Sequence, residues 1–174
     1  MILLSQGFRL KINIHSRKHL RVLFYEKNKM FKLSNRSKVR REGVDPKLIE
    51  TNDLAIQLTV VDFGIPPHGG VREAIEQNIL FKKGFSKADG FIKRSVHQPA
   101  SDGYGKGLDF FAYVDGEASW QHHHLAMVGT AHLQAASMLG YKIKWGGLWK
   151  RKVPKFINGI PYGWDMAHIE LAEK

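Results

Sequence analysis

The segment Leu108-Asp-Phe-Phe-Ala-Tyr-Val114 restricts the fold more than any other part of the chain. It is short, rich in aromatic residues and stopped by the turn pair Asp115-Gly116, so it reads as a strand. Side chains alternate along a strand. Leu108, Phe110 and Ala112 therefore share one side, and Asp109, Phe111 and Tyr113 the other. Asp109 sits in an apolar strand, where a carboxylate is costly unless paired or bound to a cation.

The flanking segments predict helices and further strands. Asp45-Pro46 opens a helix, with Asp as N-cap and Pro at the first helical position. Leu48, Ile49, Ala55, Leu58 and Thr59 approximate one face of it, to about Val61. A short strand over Phe63–Ile65 ends at Pro66-Pro67 and Gly69-Gly70. Glu73–Lys83 reads as a second helix, with Ala74, Ile75, Asn78, Ile79 and Lys82 near one side and Gly84 as its cap. Residues 84–107 form a long glycine- and proline-containing loop, and such loops in compact domains are usually functional. Residues 121–139 form the longest helix, striped by Leu125, Val128, His132, Ala135 and Leu139 and stopped by Gly140. Tyr141–Trp145 and Ala167–Leu171 are strands; on the last, His168 and Glu170 share a face opposite Ile169 and Leu171. The sum is an α+β fold: a small, mostly antiparallel sheet packed against two or three helices.

At 174 residues the chain suits one compact domain. It has no cysteine, which excludes disulfides, a thiolate nucleophile and Cys-based zinc sites. Any metal would be held by His, Asp and Glu. The net charge is +11, favouring an anionic partner such as nucleic acid, an anionic membrane face or an acidic cell wall. Residues 1–29 carry seven of the basic residues against the single acid Glu26. They lack the apolar run and cleavage site of a signal peptide, and are read as a dispensable basic extension or a start-site artefact preceding a domain over 30–174. No apolar run is long enough for a transmembrane helix.

The helical zinc-protease motif His-Glu-x-x-His is absent, as is a phosphate-binding loop; Gly103-Tyr-Gly-Lys-Gly107 precedes a strand instead of a helix. His97 in the long loop, Asp109 on the strand and His168 on the last strand offer two imidazoles and a carboxylate, a set that leaves a fourth position on zinc for water. Asp165 lies three residues before His168. With nine histidines and 16 acidic residues, spacing alone does not single this set out.

The order of motifs does more. Gly70-Val71-Arg72 is followed by Glu76-Gln77 and Gly84-Phe85-Ser86. Ser95-Val96-His97 leads into Gly105-Lys106-Gly107-Leu108-Asp109. Lys144-Trp145-Gly146-Gly147-Leu148-Trp149 comes next, then Asp165-Met166-Ala167-His168-Ile169-Glu170-Leu171. From about Phe31 to Leu171 the chain resembles the zinc-dependent peptidoglycan peptidases of the VanY-type D-Ala-D-Ala carboxypeptidase superfamily. Within it, the likeness is greatest to phage endolysins that act as L-alanyl-D-glutamate endopeptidases. The chain departs from the family pattern in a longer His97–Asp109 spacing, read as an insertion around Pro99–Tyr104. It also has Gly107 where Ala is common, Leu148 where Asp often precedes the Trp, and Pro66-Pro67 before the Gly-x-Arg.

The resemblance implies a Hedgehog/DD-peptidase-like fold with Zn2+ held by His97, Asp109 and His168. It implies Asp165 as general base, with Glu170 as rival base or as partner of a ligand histidine. Arg72 would hold a substrate carboxylate or the oxyanion, and Ser95 would bind substrate or orient its loop. Trp145, Trp149 and Trp164 are core or rim aromatics that could line a peptide groove. His122-His123-His124 reads as a solvated helix start and His132 as semi-buried. The implied protein is a monomeric phage or prophage lysis enzyme. It would be made in the cytoplasm, use a holin for export and act on peptidoglycan, with no nucleic acid and no stable membrane insertion. The alternatives are a D-Ala-D-Ala carboxypeptidase on the same fold and, in a different class, a basic nucleic-acid-binding module supported by the charge, by Ser16-Arg-Lys and Lys150-Arg-Lys152, and by the nearby tryptophans.

Overall fold

The computed structural model describes residues 31–150, 155–157 and 160–172; the side chains of 155–157 and 160–162 are outside that description. The chain divides into units Met1–Met30 and Phe31–Lys174, and the fold is that of the second. The basic extension over residues 1–29 lies outside the described residues.

Among the described residues the helices are α1 (Asn35–Arg40), α2 (Pro46–Leu58), α3 (Ala74–Lys82) and α4 (His122–Leu139). The strands are β1 (Asp62–Gly64), β2 (Gly107–Asp109), β3 (Phe111–Val114), β4 (Glu117–Ser119), β5 (Ile143–Trp145), β6 (Lys155–Ile157), β7 (Ile160–Tyr162) and β8 (His168–Leu171). One sheet has the order β1-β3-β4, a second β2-β8-β5, and β6-β7 is a separate hairpin. All these ladders are antiparallel. The predicted α+β class therefore holds, with the sheet divided and four helices in place of two or three.

The division occurs inside the apolar run. Gly107–Asp109 pairs with Glu170–His168 on β8, whereas Phe111–Val114 pairs with β1 on one side and β4 on the other. Phe110 is the switch, its N–H donating to the Ala167 carbonyl at 2.8 Å. The alternation runs through the switch unbroken: Leu108, Phe110 and Ala112 are all fully buried. Asp115 and Gly116 both have positive φ, 52° and 83°, which gives the two-residue turn that returns the chain into β4.

α2 starts as the sequence predicts, with the Asp45 carboxylate accepting from the Lys47 N–H at 2.9 Å. It packs against α4. Leu48, Ala55 and Ile56 from α2 meet Val128, Ala131 and Ala135 from α4 in one core, where each large aliphatic contributes about 1.5–3 kcal/mol. α4 ends at Gly140 in the left-handed conformation, φ 74°. Gly129 on α4 lies against the Trp145 indole so closely that a Cβ would overlap the ring. This seats Trp145, which donates its Nε1–H to the Met166 carbonyl at 2.8 Å and so ties β5 to the segment before β8.

His132 corrects the semi-buried expectation. It is fully buried on α4, stacked on Phe110 at 5.0 Å and beside Phe63 at 4.9 Å. Its Nδ1–H donates to the Val128 carbonyl at 2.9 Å, so Nε2 accepts from the Asn52 amide at 3.0 Å. Asn52 in turn accepts from Arg41 Nη1 at 2.9 Å.

Candidate metal centre and active site

Three separate parts of the chain converge at the edge of the second sheet. Asp109 ends β2, His168 begins β8 directly across the ladder from it, and His97 comes from the long loop. The loop is held at several points. The Arg72 N–H donates to the His97 carbonyl at 3.0 Å, and the Lys106 N–H to the Val96 carbonyl at 2.7 Å. Lys106 Nζ pairs with Asp45 at 2.7 Å and also with Asp102, fastening the loop to the start of α2. Within the loop, the Ser95 hydroxyl accepts from the His97 N–H at 3.3 Å, and the Gln98 side chain accepts from the Ser95 N–H at 2.8 Å.

His97 Nε2 faces His168 Nδ1 at 3.2 Å; Asp109 Oδ1 lies 2.7 Å from His168 Nδ1 and 3.3 Å from His97 Nε2. The opposite nitrogen of each ring points at an acceptor. His97 Nδ1 is 2.8 Å from the Gly70 carbonyl, and His168 Nε2 is 3.5 Å from Glu170 Oε2. A hydrogen on the far side of each ring would leave a lone pair to turn towards the centre once a metal displaces the inward proton. Two imidazoles and a carboxylate meeting in this way could hold a metal ion, and backing a ligand histidine with a carbonyl or carboxylate is how proteins orient it for one. Among the described residues His97, Asp109 and His168 are the group able to hold a metal ion, and both histidines are buried. Gly107 makes room for this meeting: a Cβ there would stand 2.9 Å from His168 Cε1 and 3.2 Å from His97 Nε2.

The proton preferences follow from the neighbours. Burial opposes the Asp109 charge, yet the two imidazoles hold its carboxyl well below the usual range. Burial likewise opposes protonation of His168, but Asp109 and Glu170 outweigh it and raise the imidazole to about 9. Asp165, before β8, moves the other way. Burial raises its carboxyl and Asp109 adds to this, against the opposing pull of His168, His97 and Arg72. Glu170 is lowered, chiefly by His168, and Lys144 Nζ sits 3.3 Å from its second oxygen.

Arg72 is buried and largely committed. Its Nη2 pairs with Asp109 Oδ2, Nη1 donates to the Gln77 side chain at 3.3 Å and Nε to the His68 carbonyl at 2.5 Å. Gln77 is the only buried residue of α3. Its amide reaches the Ser86 hydroxyl at 2.6 Å and the Ala88 carbonyl at 3.0 Å. The role of Gln77 as the connector between loop and metal centre was visible in sequence only as part of a motif. Nothing in the sequence marked the Gly69 and Gly70 carbonyls, which accept from the Asp109 N–H at 2.7 Å and face His97.

On the open side, the Trp149 ring lies 5.4 Å from the His168 ring and 5.1 Å from that of Trp164. Trp145 is in the core instead. His122 and His123 are exposed at the start of α4, and His124 faces the Ser119 hydroxyl at 2.8 Å.

A search of curated proteins returns no match. Among solved structures, the Serratia marcescens L-Ala D-Glu endopeptidase ChiX aligns with a TM-score of 0.64 and 26% identity, covering 83% of this chain and 92% of that one. Residues 29–172 match the family model described as phage L-alanyl-D-glutamate peptidase. With most of its length matched and a His-His-Asp group at the sheet edge, the chain belongs to the phage L-alanyl-D-glutamate peptidase family.

Proposed function

We propose that this peptidase is a zinc enzyme that hydrolyses the L-Ala-D-Glu bond in the stem peptide of peptidoglycan. The observation carrying the metal is the inward-facing trio of His97 Nε2, His168 Nδ1 and Asp109 Oδ1, with the far nitrogen of each ring already directed at an acceptor. Two imidazoles and one carboxylate suit zinc and leave it an open position. A zinc ion held there would polarise the scissile carbonyl and make an attacking water more acidic.

The remaining work falls to the chain's own side chains. Asp165 takes the proton from the attacking water and returns it to the leaving amine. Its raised carboxyl pKa brings it nearer the operating pH than an ordinary aspartate, which favours that exchange. Glu170 suits the base role less well, being lowered by His168 and engaged by Lys144. It orients His168. Arg72 steadies Asp109 and keeps one N–H on each terminal nitrogen for a substrate oxygen, and Ser95 shapes the turn that presents His97. A peptide lying along Trp149 and Trp164 would pass beside His168.

The biological part of the reading is phage- or prophage-driven lysis, with a holin providing passage to the wall and the enzyme acting as a monomer. Among the described residues no helix is long and apolar enough to cross a membrane. Mass spectrometry of digested sacculi tests the bond. New amino termini on D-Glu support the endopeptidase; released D-Ala would support the carboxypeptidase alternative instead.

A further inference from the structure

We propose that Lys87 is the cationic end of a substrate subsite that receives the free carboxylate of the acidic residue on the leaving-amine side of the scissile bond. This rests on the peptidase reading. A glutamyl residue placed there continues the chain through one carboxyl group and leaves the other charged.

Two separate lines of contact link Lys87 to residues of the candidate metal centre. Through its neighbours in sequence, the Gln77 amide donates to the Ser86 hydroxyl at 2.6 Å and to the Ala88 carbonyl at 3.0 Å. Gln77 accepts from Arg72, and Arg72 pairs with Asp109. Through the side chain, Lys87 Nζ stands 4.4 Å from the centre of the Trp164 ring. Trp164 packs on Trp149, and Trp149 on His168. One path ends at Asp109 and the other at His168.

Lys87 is exposed, and no carboxylate pairs with it among the described residues. The sequence from 150 to 163, which leads into Trp164, contains no acidic residue. An ammonium over an indole face keeps its charge and its donors for a further partner. The indoles beside it offer flat apolar walls for a peptide backbone. Arg72, the cation that the sequence suggests for a substrate carboxylate, is buried and paired with Asp109, whereas the Lys87 ammonium is exposed.

The test uses the full chain and two stem peptides that are identical except that the free D-Glu carboxylate of one is a carboxamide in the other. Wild type should favour the carboxylate in kcat/KM by roughly 10-fold or more, as a charge-assisted contact provides. In Lys87→Met that ratio should collapse towards one, mainly through KM. Lys87→Arg should preserve the preference and Lys87→Glu should invert it. A wild type indifferent to the carboxylate, or a Lys87→Met that keeps the preference, overturns the subsite. Wild type that cuts neither peptide overturns the peptidase reading itself.

Discussion

His132 and His168 are both buried in the same small protein, and they hold protons in opposite ways. Burial lowers His132 to about 4, with only the Val128 carbonyl opposing it. At His168 burial pulls the same way, but Asp109 and Glu170 reverse it and the result is about 9. The depth is similar; the neighbours differ. His132 lies between Phe63 and Phe110 and is completed by the neutral amide of Asn52. His168 lies between two carboxylates and a second imidazole. A core histidine becomes a cation site when carboxylates converge on it, and a neutral packing element when an amide and two phenyl rings do.

Substitutions at the two places should separate these roles. The largest effect is expected for His168→Ala: bound metal should fall from one per chain to none, and wall hydrolysis should disappear, as read by elemental analysis and turbidity loss of sacculi. Asp165→Ala should keep the metal and lose roughly 10²–10⁴-fold in kcat. Near-normal turnover in that variant would return the base role to Glu170.

At His132 the expected effect is on stability alone. Its folded value, about 4, lies below the unfolded value of 6.5, so the unfolded chain binds the extra proton first. The stabilising contribution is complete above pH ~6.5 and is lost as the pH falls towards ~4, a change of ~3 kcal/mol. Thermal melts across that range should show it. His132→Leu should flatten the slope while lowering stability at neutral pH by ~1–3 kcal/mol, because the Asn52 amide loses its partner. Glu170→Gln should give the smallest loss, about 10- to 100-fold in metal affinity or rate, since it alters only what stands behind His168.

Some of this was readable before the fold was known. The Asp45-Pro46 helix start, the left-handed Gly140 and the buried side Leu108-Phe110-Ala112 are local matters of capping and alternation, and each appears as read. The split of one apolar run into two sheets was not readable, because alternation reports where side chains point and not which strand supplies the hydrogen bonds. α1 was missed because six residues with Ser37 as the only buried one leave no periodic pattern. His132 was placed on the correct stripe but at the wrong depth, since Asn52 and Phe63 approach it from distant segments. The metal centre is the extreme case. The three residues that would hold the ion come from a loop and two strands far apart in sequence, and only the ordered motifs of a family resemblance joined them.

The central claim is that His97, Asp109 and His168 bind one metal ion. Crystals of the purified protein, measured on either side of the zinc absorption edge, test it most directly. The expected result is a single anomalous peak ~2.0–2.2 Å from His97 Nε2, His168 Nδ1 and an Asp109 oxygen. Metal found only at His122–His124, or a protein that hydrolyses wall peptide with no metal at the three residues, would contradict it.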